Sequence, residues 1–419
     1  MFFAALTQSA LGTGAAYVAL LLVAYDRVST PWAISAVLIA DLVAPMFLGP
    51  VFGAAADRWS RRTCMVLADA VRAVSFTAIA FVDSFSATVA LAFLAGVGTA
   101  LFTPASLAAL PSLVVPRRLP AATSLYGAIT DFGLAAGPAM AALILLFGGP
   151  QWILLINGVT FAISAGILLA IRFGHAPARS TDEETPSHAV LALLHEAREG
   201  LRVVRGTAGL RSILFGSALA LFFAGLVNVA ELPFLADDLN AGDAVYSVAV
   251  GLAGLGIVAG SLQGGAGGRL GRLKGRYLFG VLVMGGGYVL TGFAPSYWVV
   301  FATFTVAGFG NGMMLVYERL IIQATVPDAM AGRVFGSKDA LTAWAFAISF
   351  VVAGAAVTAV GPKAVLVAAG AGVILIGTAI AVGLRKPDAL GEEPETEDDY
   401  GVGDAAPFEP AGSPVSRTG

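Results

Sequence analysis

The chain has 419 residues, 58% of them hydrophobic and only 12% charged, with a mean hydropathy of +0.84. A soluble domain carries about a quarter charged residues, so this composition excludes an ordinary water-soluble protein. The formal charge of −3 is spread unevenly, bunched between long apolar runs.

Those runs are long enough to cross a hydrocarbon layer about 30 Å thick at about 1.5 Å per residue. They predict spans at 1–25, 32–55, 64–83, 85–110, 121–147, 150–171, 210–235, 245–268, 276–294, 297–323, 334–360 and 364–384. The expected fold class is an all-α membrane protein with twelve transmembrane helices. Helices follow because lipid cannot satisfy exposed backbone groups. A membrane barrel would show short alternating strands, and these runs do not alternate. The opening run, MFFAALTQSALGTGAAYVALLLVAY, has no basic lead and a second span follows at once. It therefore reads as the first membrane helix and not as a signal peptide. With nothing basic ahead of it, the chain is expected to start a few residues later than its relatives.

Basic residues set the orientation. Arg58, Arg61 and Arg62 fall in the second loop, and Arg117 and Arg118 in the fourth. Arg172, Arg179, Arg198, Arg202, Arg205 and Arg211 belong to the central loop or its edges. Arg269, Arg272, Lys274 and Arg276 fall in the eighth loop, Arg333 and Lys338 in or beside the tenth, and Arg385 and Lys386 open the tail. The opposite side has only Arg27 and Lys363. Positive residues stay in the cytoplasm, so both termini are expected there. The Ala- and Gly-rich composition is associated with a bacterial chain, and the expected location is the inner membrane. The single cysteine, Cys64, rules out an internal disulfide.

Four parts follow: a first six-helix half (1–172), a central cytoplasmic loop (173–208), a second six-helix half (209–386) and a tail (387–419). In the central loop, Val190, Leu193, Leu194, Ala197, Leu201 and Val204 share one helical face, with Arg198, Arg202 and Arg205 off it. This predicts an amphipathic helix on the inner membrane surface, with a plain helical linker as the alternative. The tail after Lys386 holds nine acids and one base among Pro and Gly, so it is expected to be disordered. Without it, 23 of 24 basic and 18 of 27 acidic residues remain, a balance of +5.

The halves repeat. At one offset of 211, Gly53 matches Gly264, Arg58 matches Arg269, Arg61 matches Arg272 and Pro116 matches Pro327. Two separate loops agreeing on one offset argue for duplication. Gly53, Asp57, Arg58, Arg61 and Arg62 stand as G-x-x-x-D-R-x-x-R-R after the second span. This resembles the loop signature of the major facilitator superfamily, and the resemblance covers the whole chain. It implies two six-helix halves about a pseudo-two-fold axis along the membrane normal. It also implies that the glycine lets helices approach, and that the acid pairs with arginine and a helix N-terminus to hold the cytoplasmic side shut. Ser60 stands where the family commonly has Gly, and Gly268 where the second copy would repeat Asp57, so the latch is expected in the first half alone.

In the fifth span, Gly133, Gly137 and Pro138 form G-x-x-x-G-P, which resembles the fifth-helix motif of proton-coupled drug antiporters in this superfamily. Small residues four apart permit close packing, and the proline bends the helix. Ala141 and Ala142 replace a glycine pair that often follows. The phrases ADAVRA, REGLRVVRG and VPDAMAGRVFG resemble an exporter subgroup that includes enterobactin-type siderophore exporters and macrolide and multidrug efflux pumps.

Ionisable groups inside a membrane cost about 2.5–3.5 kcal/mol each on insertion scales, which marks them as candidates. Asp41 and Asp131 fall near the midplane of their spans. An interior acid without a basic partner is able to take a proton on one side and lose it on the other. Asp131, two residues before the glycine motif, is the first proton-coupling candidate and Asp41 the second. Asp69 and Arg72, three apart, share a helical face and are expected to pair. Asn228 and Glu231 are expected at an outer vestibule, and Glu318 and Arg319 at an inner one, where adjacent residues need separate partners. Phe102, Phe222, Phe223 and Phe309 are cavity candidates that also read as plain packing. His175, His188 and His195 fall in the central loop without metal-ligand spacing.

There is no G-x-x-x-x-G-K-[ST] loop, metal cluster or catalytic triad. No enzyme, cofactor, ATP or nucleic-acid partner is expected. The expected partners are a small-molecule substrate, protons and the bilayer, with the protein a monomer. The reading is a secondary transporter that exports a small amphipathic or apolar organic compound by proton antiport. An uptake permease or uniporter, and a non-transporting sensor or scaffold, are the alternatives.

Overall fold

The computed structural model describes residues 1–171, 208–266 and 269–384. Among them are twelve long helices and no strand. They are α1 (Phe2–Val28), α2 (Pro31–Arg58), α3 (Arg61–Phe81), α4 (Phe85–Leu113), α5 (Leu119–Leu145) and α6 (Pro150–Ala170). Then follow α7 (Ala208–Pro233), α8 (Asp243–Ser261), α9 (Leu270–Gly292), α10 (Tyr297–Thr325), α11 (Asp328–Val360) and α12 (Pro362–Gly383). Eleven are long and apolar enough to cross a membrane. The exception is α9, whose first two turns carry Arg272, Lys274 and Arg276. It nevertheless packs on α10 and α12 as α3 packs on α4 and α6. The chain is a multi-pass membrane protein. The predicted central helix, its histidines and the acidic tail lie outside the described residues.

Several helices begin earlier than apolar content suggests. Helix α9 starts at Leu270 and not at 276, and α11 at Asp328 and not at 334. Hydropathy marks the part of a helix that lipid favours, whereas the backbone ladder runs on into polar surroundings. The second loop is correspondingly short. Helix α2 continues through Arg58, and Ser60 caps α3 by accepting from the Thr63 N–H at 3.4 Å. The side chains of Asp57 and Arg58 lie outside the described residues.

Packing follows the duplication. Helices α1–α6 pair as 2 with 4, 3 with 4, 3 with 6, 1 with 5 and 1 with 6, and the last six repeat each pairing six places on. The two most extensive contacts between the sets are α2 with α11 and α5 with α8, and the same exchange relates them. Lipid supplies no hydrophobic drive between helices, so close packing of small residues holds such pairs. In α8 against α10, a Cβ on Gly308 or Gly312 would strike the backbone of Ala253 or Ile257.

The core is joined at one end and split at the other. At the end away from the arginine clusters, one buried cluster runs through both sets, including Leu21, Val37, Leu232, Leu235 and Val357. At the arginine end, the first six helices have their own cluster around Met65, Leu101 and Leu110, and the last six have another around Leu214, Met314 and Ile321.

Candidate functional site

A cavity of about 850 Å³ opens at the split end. Its wall follows α5 from Pro116 and Leu119 through Thr123 and Ser124 to Asp131, and Arg319 reaches it from α10. Asp131 lies about 18 Å along α5 from Leu119, at about 1.5 Å per residue. Both Asp131 and Arg319 are exposed. An acid from one half and a base from the other thus share one accessible space, which sequence reading treated as separate sites. None of Phe102, Phe222, Phe223 or Phe309 lines it. Phe222 and Phe223 pack edge to face at 5.3 Å.

The opposite end is sealed by more than apolar packing. Tyr25, near the end of α1, donates to Asp237 at 2.5 Å, in the turn Phe234–Asp238 after α7. A Cβ on Gly354 of α11 would lie 2.8 Å from Ser35 Oγ of α2. A Cβ on Gly254 of α8 would lie 2.8 Å from Ala135 Cα of α5.

The glycine motif of α5 makes its close approach to α1. A Cβ on Gly133 would lie 2.5 Å from the Ala10 carbonyl carbon, and one on Gly137 would strike Gly14. Gly53 departs from its expected part. A Cβ there would meet only Pro104 Cβ, at an ordinary 3.9 Å, while its counterpart Gly264 sits hard against Val316. In the first half the tight α2–α4 approach falls at Gly96, where a Cβ would lie 2.7 Å from the Asp41 carbonyl oxygen. Arg61 is half-buried, and Arg62 donates to the Leu169 carbonyl, tying α3 to the end of α6.

Asp69 and Arg72 form a buried ion pair within α3. The guanidinium lies between the Phe102 and Phe161 rings, 4.3 Å from each centroid. Asp41 is exposed, yet its electrostatic neighbours Arg72 and Tyr17 are interior, so it faces the space between the helices. Arg72 Nε and Asp69 Oδ2 are buried without hydrogen-bond partners among the described residues.

Two vestibule expectations are corrected. Glu318 has no solvent exposure, and its Oε2 lies 3.6 Å from Lys338 Nζ on α11. Lys338 lies within α11 and not beside a loop, because the helix begins before its apolar stretch. Glu318 and Arg319 do point apart, one into the core and one into the cavity. Glu231 is likewise buried, at 7% exposure, and accepts a 3.0 Å hydrogen bond from the Tyr246 hydroxyl of α8. Asn228, one turn earlier, is half-buried. Neither Tyr246 nor Tyr17 stood out in the sequence. Among the described residues no group of His, Cys, Asp and Glu is placed to hold a metal.

Twelve helices in two like-packed sets, joined at one end and parted around a cavity at the other, have the two-repeat build common among membrane transporters. The chain belongs to the Major Facilitator Superfamily, whose family model matches residues 1–229 and again 213–417. It is 26% identical over 389 residues to the multidrug efflux pump Tap of Mycolicibacterium fortuitum, covering 90% of this chain and 93% of that one. It is 24% identical over 315 residues to macrolide efflux protein A of Streptococcus pyogenes, covering 73% and 75%. The fold matches a crystal structure of a bacterial homologue of the iron transporter ferroportin in an inward-facing state, with TM-score 0.71, 14% identity and coverage of 92% and 98%.

Proposed function

We propose that this transporter exports a small amphipathic or apolar organic compound in exchange for protons. The observation that carries the reading is the cavity that reaches Asp131 from the arginine end, beneath a core shared by both halves at the other end. By the positive-inside rule the arginine end is cytoplasmic, as are both termini, and the membrane is the bacterial inner membrane. The cavity then faces the cytoplasm, where an export cycle loads its cargo. Efflux pumps among the relatives support the direction and the substrate class. The domain bounds 1–172, 173–208, 209–386 and 387–419 fit two rocking bodies with a connecting loop and a tail.

In the cycle, substrate enters between the halves, a carboxyl exchanges a proton, and the halves rock about α2–α11 and α5–α8. The cluster Gly53, Asp57, Arg58, Arg61 and Arg62 closes the cytoplasmic side, and Gly133, Gly137 and Pro138 keep α1 and α5 moving as one. Asp131 and Asp41 are the first proton-coupling candidates.

Inside-out vesicles with an imposed pH gradient test this against a panel of fluorescent lipophilic cations and acids. Wild-type protein accumulates a dye, collapse of the gradient stops it, and Asp131→Asn impairs it at unchanged protein level. Transport that continues without a gradient would replace antiport with uniport.

A further inference from the structure

We propose that Glu231 is the carboxyl that carries the exchanged proton, with Tyr246 holding it and Tyr17 linking it to Asp41 across the two halves. The inference rests on the antiport reading above; it puts Glu231 in place of Asp131 as the carrier and keeps Asp41 on the proton's way to the cavity.

Among the described residues, Asp69 pairs with Arg72, Glu318 faces Lys338 and Asp41 lies within electrostatic reach of Arg72, while Asp131 is exposed in the cavity that Arg319 also lines. A matched pair has little reason to change protonation. Glu231 is buried at 7% exposure, and its hydrogen bond comes from Tyr246 at 3.0 Å, a neutral donor. The charged and titratable groups around it are Tyr17 on α1, Tyr246 on α8 and Tyr288 on α9. Helix α2 brings Asp41, which shares Tyr17 with Glu231. Toward the surface stand Tyr25 and Asp237, bonded to each other, and Asp238 beside them. Of the two basic residues at that end, Arg27 on α1 donates to the Ile79 and Val82 carbonyls and Lys363 on α12 is exposed. The charged residues of α10 and α11, from Glu318 to Asp339, lie at the arginine end. Among the described residues no cation pairs with Glu231.

Position gives the carboxyl its use. Glu231 sits beside the joined core that seals the far end, and Asp41 is exposed on α2 of the other half. Tyr17, on the half opposite Glu231, is an electrostatic neighbour of both. Parting the seal exposes Glu231 to the outer medium, and closing it returns the group to the tyrosines. The step is a proton transfer only. A proton from the outer medium converts the carboxylate to the acid, the halves rock, and the same proton leaves through the Tyr17–Asp41 side to the cavity. Tyr246 donates to a carboxyl oxygen in either form.

The test uses full-length protein in lipid nanodiscs and difference infrared spectroscopy between acid and alkaline buffer. Wild type is expected to show a protonated-carboxyl C=O band that is missing in Glu231→Gln and shifted in Tyr246→Phe. In vesicles, Glu231→Gln is expected to lose gradient-driven ethidium accumulation, with Glu231→Asp restoring part of it. A band unchanged in Glu231→Gln overturns the assignment, as does wild-type gradient-driven accumulation in that variant; antiport itself would survive both. Gradient-independent ethidium movement in wild type overturns antiport, and the carrier assignment with it. Tyr246→Phe, which removes one hydroxyl, keeps the test open if Glu231→Gln fails to fold.

Discussion

Lys338 on α11 and Glu318 on α10 stand 3.6 Å apart, with Glu318 wholly shielded from solvent. Removing one partner of such a pair strands a buried charge and costs about 3–5 kcal/mol, whereas apolar replacement of both is often neutral. Lys338→Met is therefore expected to lower the thermal unfolding midpoint sharply, and Lys338→Met with Glu318→Leu to recover most of it. Unfolding of the detergent-purified proteins, followed by intrinsic fluorescence, measures both. A single variant as stable as wild type would show that the pair contributes nothing.

Glycines on α5 and α2 separate packing from sequence motif. A side chain at Gly133 meets the Ala10 backbone, while Gly127 faces open space and Gly53 meets only an ordinary contact. Overpacking costs about 1–3 kcal/mol and sometimes more. Gly133→Val is expected to abolish monodisperse protein in fluorescence-detected size exclusion, and Gly127→Ala and Gly53→Ala to leave the yield unchanged. A normal yield for Gly133→Val would place the α1–α5 contact elsewhere.

These contrasts show what a sequence reader is able to see. Helix number, the repeat and the Asp69–Arg72 pairing were legible, because apolar length, a fixed offset and a three-residue helical step are local quantities. The Glu318–Lys338 pair, the Tyr246–Glu231 bond and the shared space of Asp131 and Arg319 were not. Each joins helices that meet only through tertiary packing, and tyrosine gives no periodic signal. Gly53 was legible as a motif, yet the tight contact it was expected to make falls at Gly96.

Arg72 lies between two phenylalanine rings beside Asp69. Lysine keeps the charge but lacks the planar group that stacks, and a desolvated cation–π contact is worth about 2 kcal/mol. Arg72→Lys is expected to lose about 1–2 kcal/mol of stability, and Arg72→Met more, since it strands Asp69. Chemical denaturation in mixed micelles ranks the two. Equal losses would mean that the rings add nothing beyond the charge.

The seal offers a reversible lock. Ser35 and Gly354 approach closely across α2 and α11, and the single native cysteine, Cys64, is buried. In a Cys64→Ala background, Ser35→Cys with Gly354→Cys is expected to cross-link under oxidation. Vesicle transport should then stop and return on addition of dithiothreitol. Undiminished transport by the cross-linked protein would show that the halves do not part there.

The two halves share packing and loop arginines, but not the charges inside their helices. At the repeat offset of 211, Asp69 and Arg72 stand opposite Gly280 and Val283, Asp131 opposite Thr342, and Glu318 opposite Leu107. The scaffold is thus symmetric while these intrahelical ionisable groups are solitary. A lineage carrying such a frame is free to add, move or lose one charge without a mirrored repair, because the small-residue seams that hold the helices are untouched. Change of cargo and change of driving ion become matters of a few point substitutions on an inherited frame.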